Sequence, residues 1–218
     1  MKLLAIDPGT NESAYVVCDM TKFVTNGKSL LSVDPKTNDI ARLVCDLAKI
    51  VVHGKIPNDT MLREIKGNMH SADHLVIERM ANMGMAVGAE VLETVFWSGR
   101  FVQAFPRSWS RLTRHQIKMH LCGSMRAKDP NIRQALIDKF GGPESIGRKR
   151  SPGPLFGISG DVWSALAVAI TWLETPASQT ETSAPPRPCR VCARTRLPVP
   201  DASADAPGRP VHACAGPP

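Results

Sequence analysis

Leu3-Leu4-Ala5-Ile6-Asp7-Pro8-Gly9-Thr10-Asn11 is the stretch on which the fold turns. Four apolar residues closed by an acid and then Pro-Gly read as a buried strand running into a tight turn. Ser13 to Asp19 returns as a second strand through Ala14-Tyr15-Val16-Val17-Cys18, and residues 22–33 hold further strand-like pieces broken at Asn26-Gly27. The chain therefore opens as a hairpin or meander.

Downstream the period changes. Thr37-Asn38-Asp39 supplies capping groups, and Ile40, Leu43, Val44, Leu47, Ile50 and Val51 recur at helical spacing, which predicts a helix closed by Gly54 and Pro57. His74-Leu75-Val76-Ile77-Glu78 is a short apolar strand ending in an acid. Residues 85–101 read as a helix with Val87, Val91, Leu92, Val95 and Phe96 on one side, and 101–105 as a strand. Helices are expected over 110–122 and 130–140, the second with Asp129 as N-cap and Pro130 at its first position. A Gly/Pro-rich loop over 141–159 carries Arg148-Lys149-Arg150. The last helix, 161–174, turns Leu166, Ala167, Ile170 and Leu173 inward. A meander followed by alternating strands and helices is a mixed α/β layout over residues 1–174. From Thr175 the composition shifts to Pro, Ala, Ser and Thr, which predicts a mostly disordered tail over 175–218.

The chain has 218 residues, 43% of them hydrophobic, enough for one domain with a core plus a tail. The opening apolar run stops at Asp7, short of a secretory h-region, and residues 162–173 are too few to span a bilayer. The expectation is a soluble, cytoplasmic protein with no membrane partner. Nothing directs the cysteines to an oxidising compartment, so Cys18, Cys45 and Cys122 read as reduced core residues. Cys189, Cys192, His212 and Cys214 have a CxxC…HxC look and match a structural Zn2+ in ligand number. The pairs are 19 residues apart, with Pro and Ala between them and almost no aromatic or aliphatic core, and a free tail is the favoured reading.

The net charge of +7 is unevenly spread: residues 100–150 carry 12 of the 27 Lys/Arg but only 3 of the 20 Asp/Glu. Such a concentration suits a polyanion such as nucleic acid, and the plainer reading is a solvated basic face. Asp7 and Glu78 each end a strand, and Asp161 begins the final helix. Strand ends and helix starts converge at one edge of an α/β sheet. Three carboxylates there would call for divalent cations, Mg2+ or Mn2+, and two such ions are the means by which phosphodiester bonds are commonly hydrolysed. Taken singly, a strand-terminal Asp is often a turn former, and Asp161 would serve as a cap.

These blocks resemble a known family. Ile6-Asp7-Pro8-Gly9 followed by Ser13 resembles the opening strand of RuvC-type Holliday junction resolvases. Leu75-Val76-Ile77-Glu78 resembles their second acidic strand, and Ile117-Lys118 to Gly123 with Ala127-Lys128 their basic stretch. Asp161-Val162-Trp163-Ser164-Ala165-Leu166-Ala167 is similar to their last helix. The resemblance, closest to the divergent phage-type branch, covers about residues 1–174 in the right order. It implies an RNase H-like mixed sheet flanked by helices, in a metal-dependent endonuclease of DNA recombination and repair in a bacterial or phage-infected cell. It further implies a homodimer acting on branched DNA. Asp7, Glu78 and Asp161 would be the metal ligands, about two ions per site, and Lys118 would sit near the scissile phosphate. Arg111, Arg114, Arg126 and Lys128 would touch the DNA backbone; Arg148, Lys149 and Arg150 would either clamp DNA or form a solvated loop. The sequence departs from the pattern twice: Ser164 stands where the family has a second Asp, and Ala81 where cellular members tend to carry an aromatic wedge.

Trp97 and Trp163 read as core, and Trp109 as a residue nearer the DNA. Two other functions stay open: a junction-binding protein without catalysis, and an actin-like nucleotide binder sharing the Asp-x-Gly-Thr turn. The second needs another lobe, for which the core is too short.

Overall fold

A computed structural model describes residues 1–19, 49–81, 86–175 and, for the backbone alone, 181–183. All lie in the compact unit Met1–Pro185. The strand-like pieces at 22–33, Cys45 and the tail residues Cys189, Cys192, His212 and Cys214 fall outside the described residues.

The main sheet is built from β1 (Lys2–Asp7), β2 (Glu12–Asp19), β3 (Lys49–Pro57), β4 (His74–Arg79), β5 (Ser108–Thr113) and a short edge strand at Glu181–Ser183. Its order is β3-β2-β1-β4-β5 and then the edge strand. The first three strands form the antiparallel meander, whereas β1-β4 and β4-β5 pair in parallel. This is the mixed sheet that the opening strand and the later period change predict.

Alternation along the strands divides the core in two. Leu3, Ala5, Ala14, Val16, Cys18 and Val76 face one side, and Leu4, Ile6, Val17, Leu75 and Ile77 the other. The first side is covered by α3 (Arg114–Cys122), α4 (Asp129–Lys139) and α5 (Val162–Glu174), and the second by α1 (Asn58–Lys66) and α2 (Ala89–Ala104). Nine residues of α5 are buried, from Val162 to Thr171, because the helix is apolar all round and lies across β1 and β2. Cys18 is buried and Cys122 partly so, and neither is in a disulfide.

Four local expectations are corrected. The helix expected through Val51 is absent over 49–57, where the chain is β3. Ile50, Val51 and Val52 are β-branched, and pairing with β2 outweighs their helical spacing. Directly after it, α1 buries Asn58, Met61, Leu62 and Ile65, an i, i+3, i+4, i+7 pattern. Residues 101–104 continue α2 instead of forming a strand. The helix stops at Phe105 (φ −77°, ψ 121°), because the residue before Pro106 is driven out of the helical region. Residues 108–113 are strand, so the helix expected from 110 begins at Arg114. Its start is set by a capping box: the Thr113 backbone N–H donates to Gln116 Oε1 (2.8 Å), and the Gln116 N–H donates to Thr113 Oγ1 (3.3 Å). In α4, Lys128 takes the N-cap position and Asp129 is the first helical residue, its carboxylate turned to Arg114.

Helix α2 turns the opposite face inward from the one expected. It buries Thr94, Trp97 and Phe101, and leaves Val91, Leu92, Val95 and Phe96 exposed, Phe96 by 56%. Trp109 lies in β5, partly buried against the α1–α2 side of the core.

Candidate active site

The register of the sheet sets out the site. Asp7 is opposite Ala14, and Ala14 opposite Lys55. On the other side Ile6 is paired with Ile77, which carries Glu78 alongside Asp7. Lys55, Ala14, Asp7 and Glu78 thus form one row across the sheet, on the face that α5 covers. Ala14 keeps the row open, and Asp161 caps the row from the start of α5.

The turn after Asp7 is held from an unexpected quarter. Asn58 is 2% exposed. Its Nδ2 donates to the carbonyls of Gly9 and Thr10, both at 3.0 Å, and its Oδ1 accepts from the Ser13 hydroxyl at 2.6 Å. The Ser13 Oγ in turn accepts from the Gly9 N–H at 3.2 Å. Gly9 is required sterically, since a Cβ there would stand 2.3 Å from the Glu12 carbonyl oxygen. Asn58 is a positioning residue that no motif announced; its one local signal was a polar residue at a buried helical position.

Glu78 is buried and Asp7 partly so. Burial and the neighbouring Glu78 push the Asp7 carboxyl up to about 7, against the pull of Arg114 and of a hydrogen bond from Ser164. Burial also raises Glu78, opposed by Arg114 and, more weakly, by Lys118. Arg114 Nη1 lies 3.2 Å from Glu78 Oε2, and Nη2 bonds to Asp129 Oδ1. Asp161 stands further out: its side chain is 59% exposed, and its Oδ2 lies 2.9 Å from Lys55 Nζ.

The donor set tests the implied divalent ion. Two desolvated carboxylates side by side, each disfavouring the other's charge, are a pair that a cation would neutralise, and hard oxygen ligands suit Mg2+ or Mn2+. The pair fits. Asp161 is not yet with it, and among the described residues no three His, Cys, Asp or Glu side chains are close enough together to hold one ion. The Ser164 side chain hydrogen-bonds to Asp7 and favours its charged form.

A cleft of about 490 Å3 opens beside Asp161, lined by Arg114, Asp129, Arg133, Trp163 and Ser164 among others. Trp163 is 7% exposed, as core, with the Arg133 guanidinium 5.3 Å from its ring. Lys118 is partly buried on α3; Arg126 and Lys128 are exposed between α3 and α4. Arg111 is not on a helix: it lies in β5, its guanidinium 5.2 Å from the Trp109 ring. Arg148, Lys149 and Arg150 stand exposed on a small hairpin, β6 (Gly147–Arg148) and β7 (Ser151–Pro152).

No protein-family model matches the chain, and no curated protein matches it. Among solved structures, RuvC of Thermus thermophilus in complex with a Holliday junction substrate is similar at a TM-score of 0.50 and 16% identity, over 78% of this chain and 92% of that one. The structure of Thermus thermophilus RuvC is matched at a TM-score of 0.49 and 15% identity over the same shares. The fold is therefore RuvC-like: a mixed sheet between helical layers. Among the described residues, no helix is long and apolar enough to cross a membrane.

Proposed function

We propose that the protein is a divalent-metal-dependent endonuclease for branched DNA, Holliday junctions among its substrates, with its nuclease domain in residues 1–174. The observation that carries this reading is the Asp7–Glu78 pair: two desolvated carboxylates at the ends of adjacent parallel strands, both held above their ordinary pKa although Arg114 stands beside them. Asp7, Glu78 and Asp161 would hold Mg2+ or Mn2+, which when bound activates water and offsets charge on the leaving oxygen. Lys118, close enough to Glu78 to lower its pKa, is the cation placed to meet the scissile phosphate. Arg111, Arg114, Arg126, Lys128 and the Arg148–Arg150 tip belong to the segment that holds most of the positive charge and would contact backbone phosphates.

The protein would act as a homodimer. The exposed stripe of Val91, Leu92, Val95 and Phe96 spans an arc of about 140° on α2 and suits burial against its own copy.

The Glu78–Arg114 ion pair favours a second reading, a junction-binding protein that does not cut. One experiment separates them: cleavage of a labelled four-way junction beside duplex, flap and RNA–DNA hybrid, in Mg2+, Mn2+ and EDTA. Metal-dependent paired nicks on the junction support the nuclease. Tight junction binding without cleavage in either metal leaves the binder.

A further inference from the structure

We infer that Arg114 and Lys55 are exchangeable counter-ions, held by the metal-binding acids in the free protein and handed to DNA phosphates when metal binds. The inference rests on the nuclease reading and adds a coupling to it: metal and DNA bind cooperatively because they release the same two cations.

The geometry is one of competition for particular oxygens. Arg114 Nη1 engages Glu78 Oε2 at 3.2 Å, and Lys55 Nζ engages Asp161 Oδ2 at 2.9 Å. Those oxygens belong to the carboxylates a divalent ion would draw on, so an ion held there competes with both cations for the same charge. Both cations have somewhere else to go. Arg114 also bonds to Asp129, lines the open cleft and is 29% exposed. Lys55 is 43% exposed, with Glu12 Oε2 at 3.6 Å as a second partner. Once freed, a guanidinium and an ammonium stand at the rim of the site, where a DNA backbone would pass, and guanidinium–phosphate bonds are strong and often bidentate. Asp7 has no such partner within ion-pair distance among the described residues, so the exchange concerns Glu78 and Asp161. The free protein thus balances its acids with parts of its own DNA-binding surface. The sequence could not announce Lys55: only the β2–β3 register brings it into the row of Asp7.

The test begins without DNA. Mn2+ binding is measured by electron paramagnetic resonance for wild type, Lys55→Gln, Arg114→Gln and, as a charge control, Arg133→Gln, whose guanidinium stacks on Trp163 in the same cleft. Removing either competing cation tightens Mn2+ binding about three- to tenfold, while Arg133→Gln stays within about twofold. Lys55 is at the surface, so its variant serves even where Arg114→Gln unfolds. Four-way junction binding is then titrated against salt in Ca2+ and in EDTA. In wild type Ca2+ steepens the salt dependence by about 0.9 per cation delivered, and the double variant loses that steepening. Unchanged or weaker Mn2+ binding in both single variants overturns the exchange, as does equal tightening in Arg133→Gln. If wild type cleaves with metal while these results hold, only the exchange fails. If wild type neither binds Mn2+ nor cuts DNA, the nuclease reading fails with it.

Discussion

Strand β4 begins at His74 and ends beside Glu78, and the two are equally buried, at 6% exposure each. The protein treats them in opposite ways. Both His74 ring nitrogens are bonded, to the hydroxyls of Ser108 and Ser110 at 2.8 Å, and the ring stacks on Trp172 at 4.5 Å. Burial pushes its pKa down to about 4, so the ring is neutral at pH 7 and behaves as packing. Glu78 accepts from Arg114 at 3.2 Å but stands beside a second carboxylate, and both acids are held above their ordinary range. A buried polar group that is satisfied contributes to the fold; a pair left in conflict costs stability and marks a place where a ligand is expected.

The comparison breaks first, and by the largest margin, at Asp7. Asp7→Asn should lower junction cleavage by at least about a thousandfold. In EDTA the same variant should melt higher by a few degrees, roughly the gain from removing one buried like charge. A variant that melts lower would show that the acids serve the fold after all.

At the other end of β4, His74→Leu should cost about 2–4 kcal/mol in urea unfolding, since it forfeits two hydrogen bonds and a ring stack. Cleavage by the folded fraction at low temperature should stay at the wild-type level. A loss of turnover beyond the unfolded fraction would tie this end to the chemistry.

Asn58 sharpens the contrast, being a satisfied polar group that serves the end where the two acids meet. Asn58→Ala should lose about 1–3 kcal/mol and loosen the turn behind Asp7. Cleavage should drop about tenfold, an effect carried by kcat and not by junction affinity. Equal loss in both quantities would make Asn58 purely structural.

The smallest effect is in pH, and the two ends have opposite signs. His74 has a folded pKa below its ordinary 6.5, so its contribution is full above pH 6.5 and is lost as pH falls towards 4. Asp7 has a folded pKa above its ordinary 3.8, so its contribution is full below that value and is lost as pH rises towards 7. Between pH 4 and 6.5 the two slopes oppose each other, each at up to about 1.4 kcal/mol per unit. Asp7→Asn should uncover a stability that rises with pH, read from urea midpoints at pH 4.5, 5.5 and 6.5. A flat profile in that variant would contradict the assignment of the two terms.

The fold was legible where the signal is local. The apolar run of β1 closed by Asp7-Pro8-Gly9, the short strand before Glu78 and the apolar last helix all follow from period and punctuation within a few residues. It was least legible where two periods compete. Residues 49–57 carry enough helical spacing to mislead, and their pairing with β2 decides them. Helix α2 has apolar residues on two faces, and the sequence offers no rule for which one meets the sheet: Thr94, Trp97 and Phe101 are buried because Trp97 and Phe101 fill the space above β4, leaving Phe96 outside.

The sequence by itself determined that acids stand at two strand ends and at the start of the last helix, and that one segment is strongly basic. Only the tertiary structure decided that Lys55, Ala14, Asp7 and Glu78 share a row, that Asn58 fastens the turn, and that Ser164 reaches Asp7. The reason is physical. Which face a side chain takes follows from the alternation of its own strand, whereas its neighbour on that face depends on register between strands far apart in the chain.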